Sequence, residues 1–229
     1  MLCLYVQAPF AVFRTFTAGS FRPTSPFITP SAAYGLLLNL AGIEMREDDG
    51  KTAMTLIRRT SLPRVEIALG ALRYSHQHSL YQQLHNYPVG TSGKERKPLT
   101  KGNKYNIVPA RRAFLSDLRT YVCLRGDEPL ADQIRLGLAG KGPKRYGLPF
   151  LGDSNFLPDR IEEKAQLEPA HWFVPVQENE EADTSQAITR LTITIDRADM
   201  SRTTSRLFRP EASASTTIPE AAWVMVDYS

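Results

Sequence analysis

Long hydrophobic runs are absent from this 229-residue chain. Nothing approaches the roughly 18–20 uninterrupted apolar residues that a membrane span needs, and the run Leu36–Ile43 is too short. The stretch from Met1 to Pro9 has neither a basic segment nor a small-residue cleavage site, so no signal peptide is expected. Cysteine is scarce: only Cys3 and Cys123 occur, too few for a Cys-pair metal site. Each stands in strand-like text, and both are expected as buried free thiols of a cytoplasmic protein. No repeat of fixed period is visible. There is no Gly-x-Ser-x-Gly elbow and no His-Glu-x-x-His pair. Glu162-Glu163 and Glu180-Glu181 read as solvated charge. No metal, cofactor or conventional hydrolase site is expected.

What is present is ordinary in bulk and uneven in distribution. Hydrophobic residues make up 42% and charged residues 23%, which fits a soluble chain long enough for one large core. The net charge of +4 conceals a split. Residues 1–150 hold 21 Lys/Arg against 10 Asp/Glu, and residues 151–229 hold 7 against 14. A body at +11 beside a region at −7 points to a polyanionic partner, nucleic acid first.

The text of the chain reads as alternating elements. Leu2–Ala8 is an expected strand, closed by Pro9. Thr29-Pro30-Ser31 starts a helix, with Thr29 as N-cap and Pro30 where a missing N–H costs nothing. That helix, reaching about Glu44, is apolar nearly all round and so buried. Strands are expected at Arg64–Arg73, Lys104–Phe114, Arg119–Arg125 and Leu148–Leu151, with a second helix opened by Asp127-Glu128-Pro129. Residues 74–103 read as a flexible basic excursion, poor in aliphatics. The order strand, helix, strand, strand, helix, strand is the split βαβ pattern of ferredoxin-like and RNA-recognition folds, an α+β class. Three further strands, Trp172–Val176, Ile188–Asp196 and Trp223–Asp227, are expected to form a small acidic β appendage over 156–229. Gln177–Ser185 and Arg209–Thr217 read as loops.

Three constellations bear on chemistry. Gly140-Lys-Gly-Pro-Lys-Arg-Tyr-Gly147 is not a nucleotide P-loop, because Lys141 is followed by glycine and the helix precedes the loop. It offers Lys141, Lys144, Arg145 and Tyr146 on a backbone that a nucleic acid could approach closely. The second is the arm Lys94, Arg96, Lys97, Lys101 and Lys104, continuing into Arg111 and Arg112, against the single Glu95. Such an arm would release counterions on meeting phosphates and would order on a partner. His76, His78 and His85 are either hydrogen-bonding surface histidines or, with Tyr74, Tyr81 or Lys104, the acid and base of a metal-free RNA-cleaving site.

Val6-Gln-Ala-Pro-Phe-Ala-Val-Phe-Arg14, Phe21-Arg-Pro-Thr24 and Pro30-Ser-Ala-Ala-Tyr-Gly-Leu-Leu-Leu-Asn-Leu-Ala-Gly-Ile43 together resemble the CRISPR-associated protein 5 family of type I Cascade complexes. The wording is most like the subtype I-B or Myxococcus-type branch. The strand pair from Arg111 and the Leu148-Pro-Phe-Leu-Gly152 element look alike too, so the resemblance covers about residues 1–155. It implies a ferredoxin-like RNA-binding body over 1–155 with a protruding basic β-hairpin thumb at about 74–112. It further implies a non-catalytic subunit that caps the backbone filament and holds the 5′ handle of the guide RNA. The implied partners are that RNA, a backbone subunit of the CRISPR-associated protein 7 family, a large PAM-reading subunit of the CRISPR-associated protein 8 family, and target DNA indirectly near the PAM. Arg14, Arg22, Thr24, Ser31 and Tyr34 would then join the glycine loop and the arm as RNA contacts, with Tyr34 and Tyr146 stacking on handle bases. One branch of the family cleaves precursor RNA, which keeps a metal-independent endoribonuclease as the alternative. A scaffold that touches no RNA is the second alternative, which the +11 body opposes.

Overall fold

The computed structural model describes residues 1–15, 21–47, 56–57, 62–85, 107–177, 187–196 and 199–228. Among these, two helices pack on a large, mostly antiparallel sheet, an α+β arrangement. The strands are β1 (Leu2–Ala11), β2 (Phe21–Arg22), β3 (Arg46–Glu47), β4 (Leu56–Ile57), β5 (Val65–Arg73), β6 (His76–His85) and β7 (Ile107–Arg125). They continue as β8 (Arg160–Glu163), β9 (His171–Pro175), β10 (Thr189–Thr194), β11 (Thr204–Pro210) and β12 (Val224–Val226). The helices are α1 (Pro30–Ala41) and α2 (Glu128–Leu138). Hydrogen-bonded order in the sheet is β10-β11-β9-β5-β7-β1-β8, with β12 on β5 and both β2 and β6 on β7. No helix among the described residues is long and apolar enough to cross a membrane.

Local chemistry explains both helices. Thr29 Oγ1 accepts the Ala32 amide at 3.2 Å, Pro30 occupies the first turn, and Gly42 closes α1 in the left-handed conformation at φ 74°. The Gly42 and Ile43 amides then satisfy the Asn39 and Leu38 carbonyls. In α2 the Asp127 carboxylate caps the Leu130 amide at 2.9 Å. Period-two alternation in β1 sends Leu2, Leu4, Val6 and Ala8 into the core shared with α1, and Cys3 into a second cluster with Ala68, Tyr121 and Trp172.

Several sequence expectations are corrected. β7 is one strand of 19 residues rather than two. Within β7 only Asp117 takes a left-handed φ, 57°, between the register pairs Ala8↔Leu118 and Phe10↔Ser116. Part of the expected excursion is strand, because His76–His85 pairs along its whole length with β7; residues 86–103 lie outside the described residues. Leu148–Leu151 is not a strand. Leu151 instead accepts the Val12 amide at 3.0 Å, and β8 takes the place beside β1. Thr204–Pro210, which overlaps the loop expected at Arg209–Thr217, is a strand that pairs with both β9 and β10. Most of Gln177–Ser185 lies outside the described residues.

Cys3 and Cys123 are not separate thiols. They stand opposite each other in the β1–β7 register, 4.0 Å apart at Cα, and are joined as a disulfide. A sequence separation of 120 residues hides such a pairing until the register is known. The C-terminal strands add to both edges of the same sheet: β8 on β1, and β9 and β12 on β5. Trp172 on β9 lies over Gly70 of β5, where any Cβ would strike the indole. Glycine at 70 is what admits that ring.

Candidate nucleic-acid interface

The glycine loop follows α2 directly. The Lys141 amide bonds the Leu136 carbonyl at 2.8 Å, and Gly142 folds back against Gly137, so the loop is pinned to the end of the helix. Lys141 and Lys144 are exposed to solvent, and among the described residues neither forms an ion pair. Tyr146 is 80% exposed, with the Arg46 guanidinium over its ring at 4.7 Å. Arg46 is itself held by Glu44 at 3.0 Å. Arg145 differs from its neighbours: it turns inward and donates to the Gly137 carbonyl. Asn39 of α1 donates to Gly147 at 3.0 Å, which fastens the far end of the loop. The outcome is a braced backbone bearing two free ammonium groups and an open aromatic ring, the elements of a single-strand contact.

The second cluster lies where β2 joins the β6–β7 hairpin. Phe21 pairs with Arg111 and Arg22 with Arg112. One face of the hairpin presents Gln77, Ser79, Tyr81 and Arg111, with Phe21 alongside, around a shallow cleft. Tyr81 is 80% exposed, and Arg111 is steadied by Ser79 Oγ at 3.1 Å. Sequence reading passed over Phe21 as a ring that could meet a base and named Tyr81 only for proton transfer. The signal for both was an aromatic residue in a stretch with too little aliphatic text to bury it.

On the other face the arginines turn inward. Arg112 is 5% exposed and bonds Asp153 at 2.6 Å, while Arg14, at the rim, reaches the same carboxylate at 3.8 Å. Burial pushes the Asp153 carboxyl up, but the Asn155 amide and the Arg112 and Arg14 guanidiniums outweigh it and hold its pKa below the ordinary value. The stability carried by that charge is therefore present at neutral pH and is lost only as pH falls below about 4.

Three residues expected to meet RNA sit where the fold uses them. Thr24 is buried, its hydroxyl accepting the Phe13 amide at 2.9 Å. Tyr34 is wholly buried; its hydroxyl donates to the Pro63 carbonyl at 2.8 Å and its ring stacks on Tyr228. Burial, with the nearby Tyr228, also pushes its pKa well up. An α1 that is apolar all round buries its tyrosine with its leucines, and this leaves no face for a base. Arg112 is the third, interior by its pairing with Asp153. Ser31, half-buried, shares a hydrogen bond with Thr29. Lys94, Lys97 and Lys104 lie outside the described residues. Tyr34→Phe is expected to cost about 1–2 kcal/mol of stability through the orphaned Pro63 carbonyl and to leave RNA affinity unchanged. Thermal melts and a binding titration on one preparation would check both halves.

A family profile described as CRISPR-associated protein (Cas_Cas5) matches residues 1–142, more than half of the chain. The chain belongs to the Cas5 family. No curated protein matches this Cas5 sequence. Solved chains share its fold, among them the following two. One comes from a "CRISPR RNA-guided surveillance complex"; it is 18% identical at TM-score 0.57, over 96% of this chain and 92% of that one. The other, a "Crystal structure of Cas protein", is 18% identical at TM-score 0.51, over 96% and 97%.

Proposed function

We propose that this Cas5 chain is a non-catalytic guide-RNA-binding subunit of a type I CRISPR surveillance complex. It holds the 5′ handle and caps the filament of backbone subunits, with a large PAM-reading subunit and target DNA nearby, in the cytoplasm. The observation that carries the reading is the location of the excess positive charge. It lies exposed on the glycine loop at Lys141 and Lys144 and on the hairpin at Arg111, each beside an open tyrosine. The order β5-β7-β1-β8, with α1 after β1 and α2 after β7, supports a ferredoxin-like body. The β6–β7 hairpin, open to solvent on both faces along much of β6, supports a thumb lying across RNA. Likeness to a chain of an RNA-guided surveillance complex supports the same setting.

The nuclease alternative gains little from the histidines. His78 is engaged by Ser116 Oγ at 2.8 Å and stacked on Phe114, which fits a hydrogen-bonding surface histidine. Repeat-derived RNA incubated with the purified protein in EDTA is expected to bind and stay whole. Scission at the handle boundary, lost on changing His76, His78 or Lys104, would replace this reading with the enzymatic one.

A further inference from the structure

β7 changes partner midway: residues 119–125 pair with β5, and residues 107–116 pair with β6. Asp117 stands at the changeover in its left-handed conformation. Side-chain alternation is reset there. Leu118, Val122 and Leu124 enter the core shared with α1, all at even positions, yet Leu115 enters the same core. An unbroken strand would turn Leu115 to the opposite face. β1 resets with it: Leu2, Leu4, Val6 and Ala8 are followed into that core by Ala11 and Phe13. Pro9 falls between the same two rungs of the ladder as Asp117, and proline has no N–H to leave unpaired.

The side chain at 117 suits the bend. Aspartate is among the few L-residues that visit the left-handed region readily. Its carboxylate receives Arg73 at 2.9 Å and Arg119 at 3.0 Å, which ties the bend to the last residue of β5 and to the body half of β7. Beyond the bend, His76 to Tyr81 are exposed without exception, so no core beneath β6 dictates its orientation. β6 takes its facing from β7. Because of the reset, Arg111 leaves the sheet on Leu115's side, the side that carries α1, where Asn39 fastens the glycine loop. Arg112 and Phe114 go to the other face, against Asp153 and Phe156. With ordinary alternation through 117 the two sets would exchange faces.

We propose that Asp117 is a positioning residue for the RNA interface. Its left-handed backbone, clasped by Arg73 and Arg119, decides which face of the hairpin turns Arg111 and Tyr81 toward the side of the glycine loop. It touches no RNA itself. RNA as the ligand rests on the proposed function; the reset of the two strands belongs to the protein alone.

The test contrasts substitutions at 117. Asp117→Asn keeps a residue that tolerates the left-handed region, whereas Asp117→Val, being β-branched, opposes it. Asp117→Ala opposes it more mildly and serves if valine prevents folding. Each is combined with Tyr81→Ala and titrated with repeat-derived handle RNA. In the unaltered protein and in Asp117→Asn, Tyr81→Ala is expected to weaken binding about tenfold, as loss of one stacked base should. In Asp117→Val and Asp117→Ala, themselves weaker binders, Tyr81→Ala should cost less than about twofold more. A merely structural role would lower the melting temperature and leave the Tyr81 penalty whole. A second arm needs no RNA. Spin labels at Leu80 on β6 and at exposed Gln133 on α2 report the hairpin's placement on the body. The distance distribution in Asp117→Asn should match that of the unaltered protein, and those in Asp117→Val and Asp117→Ala should depart from it. If the distances behave so while Tyr81→Ala costs the unaltered protein nothing, Asp117 still sets the face and the RNA reading of the hairpin is what fails. If the valine and alanine variants keep the unaltered distances, or keep the full Tyr81 penalty, the proposal is overturned.

Discussion

Replacing Trp172 by alanine is expected to destabilise the protein by about 3–5 kcal/mol and to lower its melting temperature by roughly 6–20 °C. The indole is fully buried, stacked on Tyr121 with centroids 6.1 Å apart, and donates Nε1–H to the Ser215 carbonyl at 2.9 Å. It also fills the space that Gly70 leaves open on β5. Truncation therefore removes apolar burial, leaves a cavity and orphans a carbonyl together. The shape of the transition is as informative as its midpoint. Trp172 belongs to β9, which joins the C-terminal strands to β5, so a single calorimetric transition should move as a whole. A minor C-terminal transition that shifts while the main one stays would show that residues 156–229 fold as a separate appendage.

The largest effect on binding is expected from Lys141→Ala combined with Lys144→Ala. Both ammonium groups face solvent on the glycine loop, and neither supports the fold. Each phosphate contact on a single strand contributes about 0.7 to the slope of log K against log salt. Losing two should flatten that slope by about 1.4 and weaken handle binding about 25-fold near 0.1 M salt. Melting temperature should stay constant, since the loop is held by the Lys141 amide and by Asn39 rather than by these side chains. Fluorescence anisotropy across a salt series reads slope and affinity together. An unchanged slope would remove the glycine loop from the interface.

What was legible in the sequence follows from how local each determinant is. Thr29-Pro30 and Asp127-Glu128-Pro129 specify helix starts within four residues, and both helices begin there. β7 was misread because Leu115-Ser-Asp-Leu118 has turn chemistry. Its continuity comes from partners distant in sequence, β1 on one side and β5 followed by β6 on the other. The fourth body strand was assigned to Leu148–Leu151, which is apolar, whereas β8 is mostly charged and half-exposed. Hydropathy favours the former; pairing with an edge of β1 requires only free backbone groups.

The same logic divides the candidate site. Lys141, Lys144 and Tyr146 could be placed from sequence because a glycine-rich loop has no core to bury them. Arg112 and Thr24 could not, since their interior roles depend on Asp153 and Phe13 arriving from other parts of the chain. The acidic half also resolves into parts. Its strands β10 and β11 carry Arg190, Arg206 and Arg209, and Asp153 is a counter-charge within the arginine cluster rather than part of an acidic surface.

Recognition of the guide handle is tested most directly by comparative binding. Dissociation constants would be measured in EDTA at physiological salt for repeat-derived RNA bearing the 5′ handle and for an unrelated single strand of equal length. Uncut RNA and clearly tighter binding of the handle are the predicted result. Equal affinity for the two strands would contradict it.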